Sequence, residues 1–256
     1  LANQTPAARE RFENGVILHQ TTIIQLESLL VQLVDGILIA VIDGSIVQFT
    51  ILYGMIITKI EWRAKIIMDA RDVIIEALET MPEEYYYVTT SYSADGIVRE
   101  RVFCYELYHR MRCIQETNDK RAFVIHGEID KRGHNLFSSD SRKNPDFVFH
   151  VPGCMRFNGV VVEVKGKIDN AKYKDEAIND IKTLAKFTKP EHEYKCGIFL
   201  LYNYSLLEFC GHMRGKLKDW FGENEFDISK IEVICKKDCM TRYENKSLSE
   251  IMEDIT

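Results

Sequence analysis

The sequence contains little proline and tryptophan, with 5 and 2 residues among 256, and it has no long tract of glycine, serine, proline or glutamine. Such tracts mark disordered and low-complexity segments, so a chain of that class is excluded over any appreciable length. Hydrophobic residues make up 46% of the chain and charged residues 28%, which is typical of a folded globular protein. The length suits one large domain or two small ones.

An excess of positive charge is also absent. Lysine and arginine total 33 against 39 aspartates and glutamates, which gives a formal net charge of -6. Many proteins that bind nucleic acid non-specifically are basic overall, and the bulk charge therefore disfavours that class. An enzyme that gathers carboxylates around a metal ion needs only a local basic strip to bind nucleic acid. The positions of the charges therefore matter more for this function than the net charge does.

The sequence lacks the cysteine pattern of a disulfide framework. It has 7 cysteines, an odd number scattered over a long chain, whereas disulfide-built domains are short and rich in cysteine. Residues 1–14, LANQTPAARERFEN, also lack the basic start and the following apolar run of a secretory signal. We therefore expect a reducing, cytoplasmic location.

Residues 13–80 differ from the rest of the chain, because long runs of isoleucine, leucine and valine carry few charges there. Within them, residues 29–57 exceed the roughly 20 apolar residues that a membrane span needs. Asp35 and Asp43 lie inside this stretch, and an aspartate in the middle of a span costs roughly 2.5 to 3.5 kcal/mol on insertion scales. A membrane span is therefore disfavoured, and a membrane-tethered protein is kept as an alternative.

Buried helices are a simpler interpretation of this apolar region. Near its end, apolar residues recur at three- and four-residue steps, with Ala70, Ile74 and Leu78 in one stripe, as in an amphipathic helix. The Asp-Gly pairs would break or cap helices, or alternatively turn two-stranded hairpins. A second copy is the simplest cover for so much apolar surface. We predict a mainly helical region over residues 1–82 that forms a homo-oligomer through residues 13–80.

From residue 83 onward the pattern changes to short β-branched runs separated by amphipathic helices. The sequence predicts, in order, a helix, three strands, a helix, a strand, a helix and a strand. Strands separated by helices of this length imply an α/β fold around a mixed sheet. The segments behind these predictions are RERVFCYELYHRMRCIQ, RAFVIHGEIDKR, PDFVFHV, GVVVEVKG, NAKYKDEAINDIKTLAKFTK, YKCGIFLLYN, SLLEFCGHMRGKLKDWF and KIEVICKK.

Two carboxylates and a lysine are placed on neighbouring predicted strands. Asp146 opens the second strand, and Glu163 and Lys165 end the third, where side chains two residues apart share one face. If the two strands are adjacent and antiparallel, Asp146 comes to lie beside Glu163. Close carboxylates repel each other unless one is protonated or a cation bridges them, and their hard oxygens suit Mg²⁺ or Mn²⁺.

Such a metal ion would polarise a phosphoryl oxygen and lower the pKa of a bound water. Lys165 would orient or help to deprotonate that water, or neutralise the charge that develops during the reaction. Each residue also has a non-catalytic interpretation. Asp146 follows proline and would simply start a strand, and Glu163 with Lys165 would form an exposed ion pair on the sheet.

Pro145-Asp146 followed by Glu163-x-Lys165, on two strands that come after an acidic helix, resembles the PD-(D/E)xK nuclease superfamily, which includes restriction endonucleases. The resemblance implies a restriction-endonuclease-like α-β-β-β-α-β core with a mixed central sheet, in a nuclease domain over residues 83–256. It also implies Mg²⁺- or Mn²⁺-dependent hydrolysis of phosphodiester bonds, with DNA favoured over RNA. Asp146 and Glu163 would bind the metal, and Lys165 would assist the water.

The resemblance suggests further metal ligands. In this superfamily the helix before the sheet often supplies an acid, and Glu106 occupies that position, where it would hold a second metal ion or a metal-bound water. The alternative is an ion pair between Glu106 and Arg110, one turn along the helix. Glu128, on the first predicted strand, is a second candidate, and its alternative is a solvated charge beside Lys131.

The same resemblance suggests where nucleic acid would bind. Polar side chains of the helix that follows the ExK strand commonly line the substrate groove, and Lys172, Lys174 and Lys182 lie on that helix. His109 is a candidate for a phosphate contact. Two other classes of function remain open, namely a catalytically silent nucleic-acid-binding or assembly module of the same fold, and the membrane-tethered effector. Phage defence, with an activating protein partner, is a setting that the resemblance suggests.

Overall fold

The computed structural model describes residues 67–91, 93–117, 123–127, 144–151, 158–190, 194–221 and 227–255. All of them belong to one compact unit. The apolar stretch 29–57 lies outside the described residues. The division at residue 82 and the self-association through residues 13–80 therefore stay predictions.

Five helices and two β-sheets make up the described chain. Helix α1 covers residues 67–79, and a hairpin of two short strands follows it. A single turn of 3-10 helix precedes strand β1 and another precedes strand β7. The other elements, in chain order, are β1 (Val88–Thr90), β2 (Ser93–Ile97), α2 (Glu100–Thr117), β3 (Val124–Gly127), β4 (Phe147–His150), β5 (Asn158–Lys165), α3 (Ala171–Phe187), β6 (Cys196–Tyr202), α4 (Leu206–Phe221), β7 (Ile231–Lys236), β8 (Glu244–Ser247) and α5 (Leu248–Ile255).

The main sheet has six strands in the order β3-β4-β5-β6-β7-β8. Strands β3, β4 and β5 are antiparallel neighbours, whereas β5, β6 and β7 run parallel to one another. Strand β8 returns antiparallel to β7 at the far edge. The predicted α/β fold with a mixed sheet is therefore confirmed.

Strand β5 lies in the middle of this sheet and is buried along its whole length. Val160, Val162 and Val164 pack on one face with helices α1 and α2. Val161 packs on the other face with helices α3, α4 and α5. Both faces of the sheet are thus covered by helices, which is why a run of valines rather than an alternating pattern forms this strand.

Helix α1 is part of the core of this unit. Ala70, Val73 and Ile74 are completely or almost completely buried, as the apolar stripe in the sequence predicts. An ion pair also holds the helix against the sheet, because Arg71 Nε lies 2.9 Å from Glu232 Oε1 on strand β7. Lys236, at the end of the same strand, lies 3.3 Å from Glu79 Oε2 on the helix.

Several elements of the fold were not anticipated in the sequence. The hairpin of β1 and β2, edge strand β8 and helix α5 all lie outside the predicted series. Strand β8 has the sequence ENKS, which lacks the β-branched and aromatic residues that identify strands. Over the described ranges, no helix is long and apolar enough to cross a membrane. The six cysteines within those ranges are free thiols.

Candidate functional site

Strands β4 and β5 bring Asp146 and Glu163 together. Phe147 pairs with Val162 in the antiparallel register, so the next pair along the two strands is Asp146 opposite Glu163. Side chains directly opposite each other have Cβ atoms about 4.5 to 5.5 Å apart. Asp146 is fixed in place because its Oδ2 accepts a hydrogen bond of 2.7 Å from the backbone N–H of Val164.

Lys165 ends strand β5 on the same face as Glu163, and both side chains are buried, with 9% and 6% exposure. They are therefore not an exposed ion pair on the sheet. Lys165 Nζ lies close to three carboxylates, at 3.2 Å from Glu176, 3.5 Å from Asp180 and 3.8 Å from Glu100. One buried cation thus faces a surplus of negative charge.

Glu100 joins this cluster from the first residue of helix α2. Its Oε2 accepts a hydrogen bond of 3.2 Å from the backbone N–H of Gly166, the residue that follows Lys165. A carboxylate in the first turn is also favoured by the positive end of the helix dipole. Glu100 was not singled out in the sequence, although its place at the start of a predicted helix beside an aromatic run was a usable signal.

Helix α3 contributes Glu176 and Asp180, which lie one turn apart. Asp180 is 6% exposed, an unusual burial for an aspartate, and it belongs to the face on which Ala177, Ile181 and Leu184 pack. Neither acid was predicted as a site residue. A charged residue within the apolar stripe of an amphipathic helix was the signal for Asp180, because such a charge is normally paired.

The clustering changes the acidity of these groups. Burial is the largest effect and raises the pKa of Asp146 to about 7; the hydrogen bond from Val164 and the charge of Lys165 lower this pKa, and the charges of Glu100 and Asp180 raise it. Burial likewise raises the pKa of Glu100. For Lys165, burial lowers the pKa, but the neighbouring carboxylates more than compensate, and the pKa ends above its usual value. Lys165 is therefore held as a cation.

A cleft of about 460 Å³ opens between helix α2 and strands β3 and β4 and reaches two of these acids, Glu100 and Asp146. Its other walls include Tyr105, Tyr108 and Phe147. The size is that of a pocket for a small ligand or for part of a larger one. Two acids of the cluster are thus accessible from solvent on the α2 side.

Gly166 is packed too tightly for any other residue. A Cβ atom there would lie 2.5 Å from the Tyr202 ring and 2.6 Å from Val98 Cγ1. Tyr202 is itself completely buried and stacks on Phe103, with ring centroids 3.8 Å apart. The turn after Lys165 is therefore held between β6 and α2. This packing fixes Lys165 and the backbone N–H of Gly166 that donates to Glu100.

Glu106, the acid expected on helix α2, is placed elsewhere. Its Oε1 lies 2.8 Å from Arg110 Nε, so it makes the ion pair that was the alternative interpretation. At about 3.6 residues per turn, Glu106 is turned roughly 120° around the helix from Glu100. The acid that this helix brings to Lys165 is Glu100 instead. Glu128, the other candidate ligand, lies outside the described residues.

The predicted nucleic-acid contacts fall in different places. Lys172 is 79% exposed and lies 3.9 Å from Glu176, in the row of α3 that continues to Asp180. Lys182 lies two turns beyond Asp175, on the same side of helix α3. Asp175 pairs with Lys216 of helix α4, so this side of the helix faces away from the row that holds Lys172. Lys174 is partly buried near the start of the helix, and His109 is exposed on α2 beside Cys113.

The site's own chemistry suits a divalent cation. Its donors are carboxylate oxygens, and burial, together with neighbouring carboxylates, raises the pKa of Asp146 and of Glu100, so that a bound cation would favour their charged forms. Within the described residues, no group of three or more His, Cys, Asp or Glu side chains is arranged to hold a metal ion by itself. Asp146 and Glu163 would therefore share a bound Mg²⁺ or Mn²⁺ with water or phosphate oxygens, as is usual for these ions.

Comparison with known proteins gives no match to a family model, to a curated protein or to a solved structure.

Proposed function

We propose that the protein is a divalent-cation-dependent nuclease of the PD-(D/E)xK type, which hydrolyses phosphodiester bonds of nucleic acid, with DNA as the favoured substrate. One observation carries this proposal. Asp146 and Glu163 lie opposite each other on adjacent strands, with Lys165 on the same face, beside a cleft that reaches Asp146. A carboxylate pair with a neighbouring cation is suited to phosphodiester hydrolysis by a metal-assisted route.

The order of elements supports the same proposal. Helix α2 is followed by three antiparallel strands, helix α3 and strand β6, which runs parallel to β5. We propose that this series is the α-β-β-β-α-β core that the resemblance in the sequence implies. Asp146 directly precedes the second strand of the series and Glu163 lies on the third.

Each residue of the site has a distinct proposed role. A cation bound by Asp146 and Glu163 would polarise the phosphoryl oxygen and lower the pKa of a bound water. Lys165 would stabilise the negative charge that develops on the phosphoryl oxygens, because its raised pKa makes it a poor base. Glu176 and Asp180 hold the lysine ammonium in position.

Glu100 has a positioning role in this proposal. Its carboxylate lies between the backbone N–H of Gly166 and the ammonium of Lys165, at 3.2 Å and 3.8 Å. It also lines the cleft with Asp146. Glu100, rather than Glu106, is therefore the acid of helix α2 that we place at the site.

The test is a cleavage assay on plasmid, single-stranded DNA and RNA in the presence of Mg²⁺, Mn²⁺ or EDTA. We expect cutting by the wild type that depends on the metal and is lost in Asp146→Asn, Glu163→Gln and Lys165→Met. Asp254→Asn is the matched control, because Asp254 pairs with Lys246 on the surface, with 55% exposure of its side chain. That variant should cut at the wild-type rate.

Two results would contradict the proposal. One is a folded wild type that cuts none of the three substrates with either metal. The other is cutting that persists in all three site variants, which would indicate a contaminating nuclease or a different active site. A catalytically silent binding module would instead bind nucleic acid with no cleavage.

A further inference from the structure

The cleft beside Asp146 is lined by more aromatic surface than a metal site needs. Tyr105, Tyr108 and Phe147 form much of its wall, together with Arg101 and His126. Tyr105 is 64% exposed, even though the core face of α2 is already supplied by other residues of the helix. Core packing therefore does not account for this tyrosine. The residues that do supply the core face are Phe103, Leu107, Met111 and Gln115.

Two rings of the aromatic wall are parallel, and one of them is held by a hydrogen bond. The Tyr108 and Phe147 rings are parallel to within 6°, with centroids 6.2 Å apart. Tyr108 is anchored because its hydroxyl donates a hydrogen bond of 3.3 Å to the backbone carbonyl of Ile125. Phe147 directly follows Asp146 along the chain, so the wall adjoins the candidate catalytic carboxylate.

Polar groups at the cleft are fixed as well. His126 Nδ1 and His150 Nε2 are 2.8 Å apart, a hydrogen bond that sets the orientation of the His126 ring. Arg101 brings a guanidinium to the same cleft. A wall that carries tyrosine rings, a cation and an oriented imidazole is suited to one nucleotide, with stacking for its base and charge for its phosphate.

We propose that this cleft binds an unpaired base, so that the substrate of the site is a single-stranded segment of nucleic acid. The inference rests on the proposed nuclease function. A base in a duplex has both faces covered by its neighbours and cannot stack on Tyr105 or Tyr108. A cleft of about 460 Å³ accepts a nucleotide but not a double helix. An unpaired base in the cleft sets its adjoining phosphodiester beside Asp146.

The experiment measures binding and cleavage separately. Binding is followed by fluorescence anisotropy of labelled single-stranded DNA, single-stranded RNA and duplex DNA, with Ca²⁺ in place of Mg²⁺ to suppress cutting. Tyr105→Ala should weaken binding of the preferred single strand about 10-fold, whereas Tyr105→Phe, which keeps the ring, should bind as the wild type does. Tyr87→Ala is the matched control, because Tyr87 is also exposed, at 45%, but does not line the cleft.

An oligonucleotide with abasic sites in place of its bases gives a second readout. It should bind the wild type about as weakly as the intact strand binds Tyr105→Ala. Equal binding of single strand and duplex, or an unchanged affinity in Tyr105→Ala, would overturn the inference even if the wild type cuts DNA. Single-strand binding that depends on Tyr105, without any cleavage, would instead sustain the base-binding cleft and contradict the nuclease.

Discussion

Strands β5 and β7 both end in a buried lysine, and the surroundings of the two lysines differ in a way that bears on function. Lys236, at the end of β7, is 0% exposed and contacts one carboxylate, Glu79, and the backbone carbonyl of Thr241. Both oxygens of the Glu79 carboxylate have a partner, because the oxygen that does not contact Lys236 accepts a hydrogen bond of 3.0 Å from Tyr243 N–H. The charges are balanced, and the pair fastens helix α1 to the sheet.

Lys165, at the end of β5, is surrounded by Glu100, Glu176 and Asp180, and the chain places Asp146 and Glu163 beside it. These carboxylates outnumber the lysine, and a cleft reaches two of them, Glu100 and Asp146. Burial of a lysine is therefore not what marks a functional site. The surplus of one charge sign, combined with access from solvent, distinguishes the end of β5 from the end of β7.

Replacing each of the two lysines in turn by methionine should give the largest difference in effect between the two regions. Lys165→Met should lower kcat/KM for cleavage by about 100- to 10,000-fold, because charge stabilisation in the transition state is lost. Lys236→Met should leave kcat/KM within about 3-fold but lower the free energy of unfolding by about 1 to 3 kcal/mol. This is less than the 3 to 5 kcal/mol typical of broken buried pairs, since the Glu79 side chain is 36% exposed.

Cleavage kinetics and urea unfolding of both variants give the two quantities. If Lys236→Met loses as much activity as Lys165→Met while it remains folded, the distinction between the two regions is wrong.

Removing one carboxylate from each region should change stability in opposite directions. The folded-state pKa of Asp146, about 7, lies above its ordinary value of 3.8, so the folded protein retains a proton that the unfolded chain releases. Its contribution to stability is complete below pH 3.8 and is lost as the pH rises to about 7. In EDTA above that pH, Asp146→Asn should raise the free energy of unfolding by roughly 1 to 3 kcal/mol.

Glu79→Gln removes a carboxylate that is needed for charge balance, and it should instead destabilise the protein. Urea unfolding of both variants as a function of pH is the measurement. A loss of stability in Asp146→Asn, in EDTA and above the pKa of about 7, would show that no surplus of charge exists at the end of β5.

Substitution of each of the two acids of helix α2 tests which of them belongs to the charged cluster. Glu100→Gln should lower kcat/KM about 10-fold, because Gly166 and Lys165 lose the carboxylate that orients them. Glu106→Gln removes only an ion pair within the helix, worth about 0.3 to 0.5 kcal/mol, and should change kcat/KM by less than about 2-fold. The same cleavage assay measures both, and a larger loss in Glu106→Gln would restore Glu106 to the site.

The smallest expected effects concern the glycine after Lys165. Gly166→Ala should lower the free energy of unfolding by about 1 to 3 kcal/mol, because its Cβ would overlap the Tyr202 ring and Val98. Gly211→Ala, in helix α4, meets nothing within 4 Å and should raise it by about 0.5 to 1 kcal/mol. Thermal or urea unfolding compares the two, and equal effects would contradict the tight packing at the end of β5.

Local patterns in the sequence were sufficient for the elements with clear periodicity. The valine run of β5 predicted a strand, and the spacing of Ala177, Ile181 and Leu184 predicted helix α3. Strand β8 was missed because ENKS lacks any strand pattern and is held by pairing with β7. Tertiary pairing of this kind overrides local preference and is not visible in the segment itself.

The candidate site was predictable to the extent that it lies on neighbouring strands. Asp146, Glu163 and Lys165 follow from strand periodicity and one antiparallel pairing. Glu100 and Asp180 reach Lys165 from two helices on opposite faces of the sheet, so their approach depends on how those helices pack. Which acid of α2 reaches Lys165 likewise depends on the rotation of the helix about its axis, and the aromatic residues on several sides of that helix do not define this rotation in the sequence.

Binding of a divalent cation is the most direct test of a metal site formed by Asp146 and Glu163. Isothermal titration calorimetry with Mg²⁺ and Mn²⁺, on the wild type, Asp146→Asn, Glu163→Gln and the control Asp254→Asn, measures it without reference to any substrate. We predict saturable binding, with release of protons when the pH is near the Asp146 pKa of about 7, in the wild type and Asp254→Asn only. Absence of binding in the folded wild type, or equal binding in Asp146→Asn and Glu163→Gln, would contradict a cation site at the end of β5.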